Sequence, residues 1–582
     1  MSLGNTTRGF AERPNTCGRR PTEILIPSSA DSDWVVHSLS LPREVFLIFI
    51  VCMAQFCTFA AFMGTVSLLH VMGDDFRVSN SAQLAWLVAG FSLTIGTFVL
   101  PSGRLGDIFG YKKIFIIGLS WFALWSLIAG VSVYSSFTFA VISRVFQGIG
   151  PAACLPNALA ILGAIYPPGH RKAMVFATFA AVAPVGGAFG PVFAGLFEMA
   201  WWPWTYWSLA IVLVLLAMAG AFAIPELPKS TLSPKVASWQ DLVEELDVLG
   251  GVTGVTALVL FNFAWIQAPV AGWSSPETLT TLVLGILVFI CFIVIEAKYA
   301  AKPLLPAKSL NIDVGFVLAV VVCGWATFGI WSFYLFQIIQ KARQLPLLLS
   351  AAWWCPVAVA GPVASVVTGK LLGPLKARPS VVMAVAAAAF LVGQALLATV
   401  PLDQIYWTQT FLSIIIMPFG MDMSFPAATL ILSDVVPRET QGIAASLVTT
   451  VVNYSIALGV GIASTVETQL NNGGENIRDE FRGFQAALYF GVGLCGAALI
   501  ISLAFLARDY RRRGKPGQTQ PPKQRQQRKV QLSQANEAIQ TTQISALTNE
   551  RAGFQSLSVI YLTLHTSPTS PFIPLLIGNF FP

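Results

Sequence analysis

The sequence of 582 residues contains few charged side chains. Asp, Glu, Lys and Arg make up 11% of it, whereas soluble domains average about 25%. Hydrophobic residues make up 55%, and the mean hydropathy is +0.69. A span of the bilayer core needs about 20 predominantly apolar residues, and runs of that kind recur along the chain. The composition therefore excludes an ordinary soluble domain and predicts a polytopic membrane protein.

Residues for metal, redox or nucleotide chemistry are equally sparse. The 8 cysteines lie in apolar runs except for Cys17, and neither a disulfide pair nor a metal-ligand spacing is evident. The four histidines are scattered, which argues against a metal or haem centre. Neither a nucleophile–base pair nor a nucleotide-binding loop is evident, so we expect no enzyme activity, no ATP-driven pump and no cofactor. We interpret the net charge of +7 as membrane orientation, not as nucleic-acid binding.

Apolar runs of bilayer length predict about fourteen helices, which we number as spans 1 to 14. Their predicted limits are 45–71, 83–102, 113–132, 137–165, 173–197, 204–224, 247–268, 278–296, 313–338, 348–371, 380–400, 405–433, 440–467 and 484–507. The first 42 residues are polar and longer than a usual signal-peptide n-region, so span 1 is expected to act as the targeting signal.

Basic residues in the short loops predict the orientation. With the N-terminus inside, the cytosolic loops contain Arg104, Lys112, Lys113, Arg171, Lys172, Lys229, Lys235, Lys298, Lys302, Lys308, Lys370, Lys376, Arg378 and Arg438. The opposite loops contain Arg77, Lys341, Arg343, Arg478 and Arg482. This asymmetry predicts an even number of spans and two cytosolic termini.

An internal repeat indicates a duplicated bundle. The segments GIGPAACLPNALAILGAIYP and FGMDMSFPAATLILSDVVP share their glycine and proline positions. Gly150 and Gly420, Pro156 and Pro426, and Pro167 and Pro437 are each 270 residues apart (420−150, 426−156, 437−167). Spans 1–6 and 9–14 are therefore predicted to be two copies of a six-helix unit, with spans 7 and 8 inserted between them. Duplicated bundles of this kind are typical of secondary transporters.

The loop between spans 2 and 3 reads GRLGDIFGYKK, an unusual concentration of charge for this chain. Gly103 and Gly106 permit close approach of helices. Asp107 lies at the membrane boundary, where an acid can cap another helix. The alternative is simple positive-inside anchoring by Arg104, Lys112 and Lys113.

This loop resembles the helix 2–3 loop of the major facilitator superfamily. RVFQGIGPAA (144–153) resembles that superfamily's helix-4 motif, and APVGGAFGP (183–191) is similar to its helix-5 antiporter motif, with less glycine before the Gly-Pro. The motifs indicate the branch of fourteen-span drug:proton antiporters. FGMDMSFPAATLILSDVVP and VVNYSIALGVGIASTVE resemble a fungal clade named for aminotriazole resistance and low-affinity ammonium transport. The resemblance covers roughly residues 44–507.

The resemblance implies an all-α membrane protein with the major facilitator fold, two six-helix bundles and an inserted helix pair. It implies a gating motif of Gly103, Arg104, Asp107, Gly110 and Lys112, for which the homologous geometry suggests that Asp107 caps span 13 near Thr440. It also implies that the antiporter-type helix 5 uses Pro184, Gly186, Gly187, Gly190 and Pro191. The chain departs from the family in span 1, where Gln55 is the only polar residue comparable to the usual aspartate.

Two charged residues lie deep within predicted spans. Arg144 shares a helix face with Gln147 in span 4, and an unpaired arginine there costs roughly 2.5–3.5 kcal/mol. Asp422 is predicted to be the only acid deep within the second bundle. The functional interpretation is a substrate and proton-coupling site, and the alternatives are a structural brace for Arg144 and a helix–helix hydrogen bond for Asp422. Possible cavity residues are Gln55, Asn157, Trp325, Trp331 and Asn453.

The predicted domains are a cytosolic segment 1–43, a bundle 44–224, a linker with two inserted spans 225–312, a second bundle 313–507, and a disordered cytosolic tail 508–582. We expect a monomer in the plasma membrane, or alternatively the vacuolar membrane, whose partners are the lipid bilayer, a small-molecule substrate and protons. The leading functional hypothesis is proton-coupled efflux of small organic compounds. Low-affinity transport of ammonium or another small cation, and a membrane sensor or enzyme, are the alternatives.

Overall fold

The computed structural model describes residues 39–167, 169–226, 238–300, 312–435, 441–471, 474 and 476–513. Within these ranges fourteen helical segments are long and apolar enough to cross a membrane. The helices are Leu41–Phe76, Ser81–Phe109, Tyr111–Val131, Phe137–Gln147, Ile149–Ile165, His170–Glu198, Trp204–Ala223, Trp239–Leu246, Val248–Ala271, Pro276–Lys298, Ile312–Phe336, Leu347–Trp354, Val357–Leu372, Pro379–Ala398, Gln409–Val435, Gln441–Leu470 and Ile477–Arg513.

Spans 4 and 10 each consist of two of these helices, and Trp239–Leu246 is a short helix outside the spans. The fourteen predicted spans are thus confirmed. Several helices extend beyond their apolar cores: span 1 continues to Phe76, where Arg77 ends it with a left-handed backbone conformation (φ 58°). We call the face of the membrane domain where span 1 begins the near face, and the face that carries Arg77 the far face.

Gly110 lies at the near face, between spans 2 and 3. Its φ of 100° favours glycine, and this residue both ends span 2 and begins span 3. The predicted gating loop is therefore a one-residue turn between two helices.

Two spans are interrupted, one where the chain comes close to a neighbouring span and one at a proline, which lacks a backbone N–H donor. Span 4 is interrupted at Gly148, where a Cβ would overlap the Thr94 hydroxyl of span 2. Span 10 breaks at Cys355 and Pro356. Span 9 ends in a π-helical turn, Gln337–Ala342, a geometry that is frequent at functional sites.

The internal repeat is visible in the packing of its glycines. A Cβ on Gly150 of span 4 would lie 2.5 Å from Cβ of Phe122 on span 3. A Cβ on Gly420 of span 12 would lie 2.6 Å from Cγ of Phe390 on span 11. Equivalent glycines thus receive a phenylalanine from the preceding span in each six-helix bundle. Pro437, the last member of the repeat, lies outside the described residues.

The bundles meet along two seams. In the 2–13 seam, a Cβ on Gly96 would lie 2.7 Å from the backbone nitrogen of Tyr454, and one on Gly103 would lie 3.5 Å from Oγ of Ser446. In the 5–10 seam, a Cβ on Gly195 would lie 3.1 Å from Cα of Leu348. Small residues therefore bring the backbones of the two bundles together.

The inserted pair packs outside the duplicated core. Span 7 lies against both sides of the 2–13 seam: the rings of Trp86 and Phe263 are 5.1 Å apart, and the Tyr454 hydroxyl donates to the Leu258 carbonyl at 3.2 Å. Most of span 8 is exposed on the outer surface of the protein, where its apolar side chains meet lipid. The sequence DLVEEL forms part of the short helix Trp239–Leu246.

Candidate functional site

Arg144 lies fully buried inside the first bundle. Its Nε donates to the Leu87 carbonyl of span 2 at 3.1 Å, and Nη1 donates to Oε1 of Gln147. Nη2 lies 3.5 Å from the Ala61 carbonyl of span 1. The guanidinium carbon is 4.2 Å from the ring centre of Phe91, which adds a cation–π contact.

Gln147 extends this network to span 3. Its Nε2 donates to Oγ of Ser126 at 2.6 Å. In the part of the chain that the structure describes, no carboxylate forms an ion pair with Arg144. The cation is satisfied instead by carbonyls, an amide and an aromatic face, and its contacts hold spans 1, 2, 3 and 4 together.

Asp422 faces the 5–10 seam from span 12. Its Oδ2 is enclosed, and a Cβ on Gly361 of span 10 would lie 3.2 Å from that oxygen. The same Cβ would overlap Pro184 of span 5, so Pro184, Gly361 and the carboxyl meet at one point. The Ser365 hydroxyl on span 10 also faces the carboxyl. No basic side chain within the described ranges pairs with Asp422.

The glycines of span 5 contact two different partners. A Cβ on Gly186 or Gly190 would overlap the carbonyl of Phe56 or Ala60 on span 1. The Gly187 carbonyl reaches the second bundle, where it accepts a hydrogen bond of 3.0 Å from the Trp354 indole. Pro191 lies within the same helix. This stretch therefore fixes span 5 to span 1 while it forms one side of the 5–10 seam.

The charged residues of the gating motif make contacts at the near face. Arg104 donates from Nη1 to the Glu245 carbonyl of the short helix at 3.2 Å. Asp107 accepts a hydrogen bond of 2.7 Å from the Tyr111 hydroxyl, and Lys112 lies 3.2 Å from Glu226. The cap on span 13 suggested for Asp107 involves Thr440, which lies outside the described residues. Gly106 is required by packing, because a Cβ there would overlap Oδ1 of Asn157.

The predicted cavity residues occupy different environments. Asn157 is fully buried and donates to the carbonyls of Ser102 and Ala153, so it ties span 4 to span 2. Asn453 is half-buried and donates to the Thr449 carbonyl of its own helix. Gln55 is half-buried on span 1.

Trp325 and Trp331 belong to an aromatic column between the bundles. Their indoles donate to Ser424 at 3.2 Å and to Ser413 at 2.8 Å, both on span 12. Successive ring centres along the column are 5.0 to 6.3 Å apart. The column consists of Phe62 of span 1, Trp325, Phe328 and Trp331 of span 9, and Trp354 of span 10.

Comparison with known proteins decides the family. The profile of the Major Facilitator Superfamily matches residues 51–460. The chain is a member of the Major Facilitator Superfamily. The fold class and the resemblance predicted from the sequence are therefore confirmed, and this superfamily member is a multi-pass membrane transporter of small molecules.

Several fungal relatives match most of this transporter. The low affinity ammonium transporter of Saccharomyces cerevisiae is 49% identical, covering 80% of this chain and 89% of the relative. The efflux pump terG of Aspergillus terreus is 41% identical, covering 82% and 90%. The aminotriazole resistance protein of Saccharomyces cerevisiae is 36% identical, covering 80% and 85%.

Solved structures agree on the fold. A crystal structure of the peptide transporter POT in complex with sulfate superposes with a TM-score of 0.59 at 16% identity, covering 80% of this chain and 94% of that one. At this identity the likeness shows the shared superfamily fold.

The superfamily transporter has a further buried acid in the second bundle, which sequence analysis missed. Glu467 of span 13 is 4% exposed, and its Oε2 accepts a hydrogen bond of 2.7 Å from the Tyr334 hydroxyl. Glu467 lies near the far-face end of its helix, whereas Asp422 lies at the middle of Gln409–Val435, so the prediction that Asp422 is the only acid deep within the second bundle stays a prediction. Glu467 stands at the predicted end of span 13, but the helix continues to Leu470 and side chains from distant spans cover the carboxyl.

A cavity of about 160 Å³ lies on the side of the first bundle, between spans 1, 5 and 6. Its lining is mostly apolar and includes Phe56, Ala60, Thr65, Gly190, Phe193 and Tyr206. The hydroxyls of Tyr206 and Thr65 in this lining share a 2.8 Å hydrogen bond, and the guanidinium carbon of Arg144 lies 5.9 Å from the ring centre of Tyr206.

Proposed function

We propose that this transporter exports small organic compounds in exchange for protons, by alternating access of its two bundles. The observation that carries the proposal is the position of Asp422, whose enclosed Oδ2 lies where Pro184 of span 5 meets Gly361 of span 10. An exchanger needs a group that changes its charge within the membrane. Arg144 keeps its charge, because a guanidinium does not lose its proton in proteins. Asp422 is therefore assigned as the coupling acid.

The 5–10 seam gives this assignment a mechanism. When the bundles separate on one face, Pro184 and Gly361 move apart and the carboxyl exchanges its protein surroundings for water. That change alters the free energy of the charged carboxylate, so proton loading and seam opening are linked. Arg144 and Gln147 form a buried polar network of fixed charge in the opposite bundle.

The aromatic column supports small organic compounds as substrates. Ligand sites are mostly apolar and aromatic with a few placed polar groups. Here five aromatic rings lie between the bundles, and two serines of span 12 hold the indoles of Trp325 and Trp331. The relatives favour export, since two named as efflux pumps are 41% and 42% identical to this chain.

Uptake of ammonium is the second candidate. It is favoured by the relative that is 49% identical over 467 residues and named a low affinity ammonium transporter. In this alternative Asp422 binds the small cation directly, since acids at this depth mark cation sites as well as proton relays.

The proposal includes a location and an orientation. We place the near face in the cytosol because Lys and Arg are concentrated in the loops of that side. The gating motif and the short helix Trp239–Leu246 then lie at the cytosolic surface. The transporter is proposed to act as a monomer in the plasma membrane, with no catalytic activity of its own.

Transport in a yeast host that lacks its own related carriers tests these functions. Cells with and without the transporter are loaded with aminotriazole, ethidium or labelled methylammonium, and each is measured with and without a proton uncoupler. Export of an organic compound that stops with the uncoupler supports the proposal. Methylammonium uptake without such export favours the second candidate, and the absence of both contradicts the two assignments.

A further inference from the structure

Glu467 lies at the far face in a cluster of polar groups from both bundles. The Tyr334 hydroxyl of span 9 donates to its Oε2 at 2.7 Å. The Ser81 hydroxyl, at the first residue of span 2, faces the same carboxyl from the other bundle. The carboxyl thus bridges the far-face end of the 2–13 seam.

Charged neighbours surround this carboxyl without neutralising it. Lys341 of span 9 and Glu480 of span 14 lie nearby and form an ion pair of 2.9 Å. That pair carries no net charge. His70 of span 1 lies beside Lys341 and Gln337. Spans 2, 9 and 14 therefore contribute polar groups around Glu467, but the described residues give the acid no basic partner of its own.

A hydrogen bond joins the two bundles beside this cluster. The π-helical turn Gln337–Ala342 sets Gln340 so that its Nε2 donates to the Ser67 carbonyl of span 1 at 2.9 Å. The Gln337 side chain of the same turn is fully buried and lies beside His70 of span 1. Polar groups of span 9 thus meet span 1 of the other bundle at the far face.

We propose that Glu467 is a second proton site, through which protons enter from the far-face solution when the 2–13 seam opens, with Tyr334 as its positioning residue. The proposal rests on the proposed proton coupling and extends it from Asp422 on one seam to Glu467 on the other. When span 13 moves away from span 2, the carboxyl loses Ser81 and gains water. The change of surroundings allows it to exchange a proton with the solution. No bond other than that O–H bond forms or breaks.

The test uses the full-length transporter reconstituted in vesicles of uniform orientation. The first measurement is infrared difference spectroscopy across a pH titration, which reads the C=O stretch of a protonated carboxyl and needs no substrate. The second is the rate of aminotriazole transport as the far-face pH varies at constant near-face pH. The variants are Glu467→Gln, which keeps the shape, and Tyr334→Phe, which removes only the hydroxyl. Glu277→Gln, an exposed far-face acid on span 8, is the matched control.

We expect the wild type and Glu277→Gln to show a carboxyl band that titrates and that Glu467→Gln lacks. Tyr334→Phe should shift the frequency and midpoint of that band, an effect that lost packing alone does not produce. Glu467→Gln should also lose the dependence of transport on far-face pH while exchange at equal pH continues. A Glu467→Gln spectrum that keeps every titrating band overturns the proposal, and so does an unchanged pH profile. The proposed function fails on a different result: wild-type vesicles that build no aminotriazole, ethidium or methylammonium gradient from a pH difference.

Discussion

The indole of Trp354 on span 10 donates a 3.0 Å hydrogen bond to the backbone carbonyl of Gly187 on span 5. Trp354 is 2% exposed, and its ring centre lies 5.0 Å from that of Trp331. A single side chain thus joins the aromatic column of the second bundle to the backbone of the first. In the proposed cycle this bond breaks whenever the 5–10 seam opens.

Removing this bond should make the seam open more readily. Trp354→Phe keeps an aromatic ring but lacks the donor, so the closed seam loses about 1 kcal/mol, roughly a fivefold change in the open-to-closed ratio. We expect faster maleimide labelling of the adjacent Cys355 in a background without the other cysteines. Trp353→Phe is the control, because Trp353 stacks on Tyr406 instead, with ring centres 4.7 Å apart. Equal labelling rates in both variants contradict the assignment.

The glycines of span 5 should differ in tolerance although they are neighbours. Gly190→Ala places a methyl group against the Ala60 carbonyl, which forces spans 1 and 5 apart at a cost of about 1–3 kcal/mol. Gly187→Ala places its methyl 3.6 Å from Cγ of Met63, an ordinary contact. We expect a lower melting temperature and less transport for Gly190→Ala alone. If Gly187→Ala is equally damaging, Gly190 does not act through its close approach to the backbone of span 1.

Arg144 should be needed for both substrate binding and transport. Arg144→Ala removes the donors to Leu87 and Gln147, and we expect at least about a tenfold loss, or ~1.4 kcal/mol. Ser126→Ala is the matched change in the same network: it removes the 2.6 Å bond accepted from Gln147 and the 2.6 Å bond donated to the Phe122 carbonyl of its own helix, costs about 1 kcal/mol of stability and keeps transport. Measurements of the transport rate and of thermal stability distinguish Arg144→Ala from Ser126→Ala. Wild-type transport by a well-folded Arg144→Ala protein would show that the residue is a brace alone.

The near-face motif should depend on the charge of Asp107. In Asp107→Asn the side chain still accepts the Tyr111 hydrogen bond, but it has no charge to interact with Arg104 or with a helix end. The lost charge–dipole interaction is worth ~0.3–1 kcal/mol, so transport should fall about two- to fivefold. Tyr111→Phe keeps the carboxylate and should transport close to the wild-type rate. Rates are compared at equal surface expression. A wild-type transport rate in Asp107→Asn would show that the charge of Asp107 has no role in gating.

The spans, the internal repeat and the family were predictable from the sequence because each shows in the residues of a single stretch of chain. A run of about 20 apolar residues reports the membrane directly, and Gly150 and Gly420 mark equivalent contacts with Phe122 and Phe390 because only glycine fits there. The depth of Arg144 within span 4 follows from counting residues along one helix.

Glu467 was missed for a physical reason. Its burial depends on Tyr334 and Ser81, which lie on spans distant in sequence, and a residue at the predicted end of a span gives no sign of being covered. The same limit applies to Asn157, whose donors satisfy carbonyls of spans 2 and 4. Single-helix patterns give depth in the membrane, whereas lateral contacts come from the packing of the whole bundle.

Vesicles that contain Asp422→Asn test the central claim most directly. The amide keeps the volume of the side chain at the 5–10 seam but cannot exchange a proton. We expect this variant to exchange labelled for unlabelled aminotriazole at equal pH, yet to build no gradient when a pH difference is imposed. Asp403→Asn, an exposed acid in the loop before span 12, should match the wild type in both assays. If Asp422→Asn still builds a gradient that collapses on addition of an uncoupler, the coupling proton does not travel on Asp422.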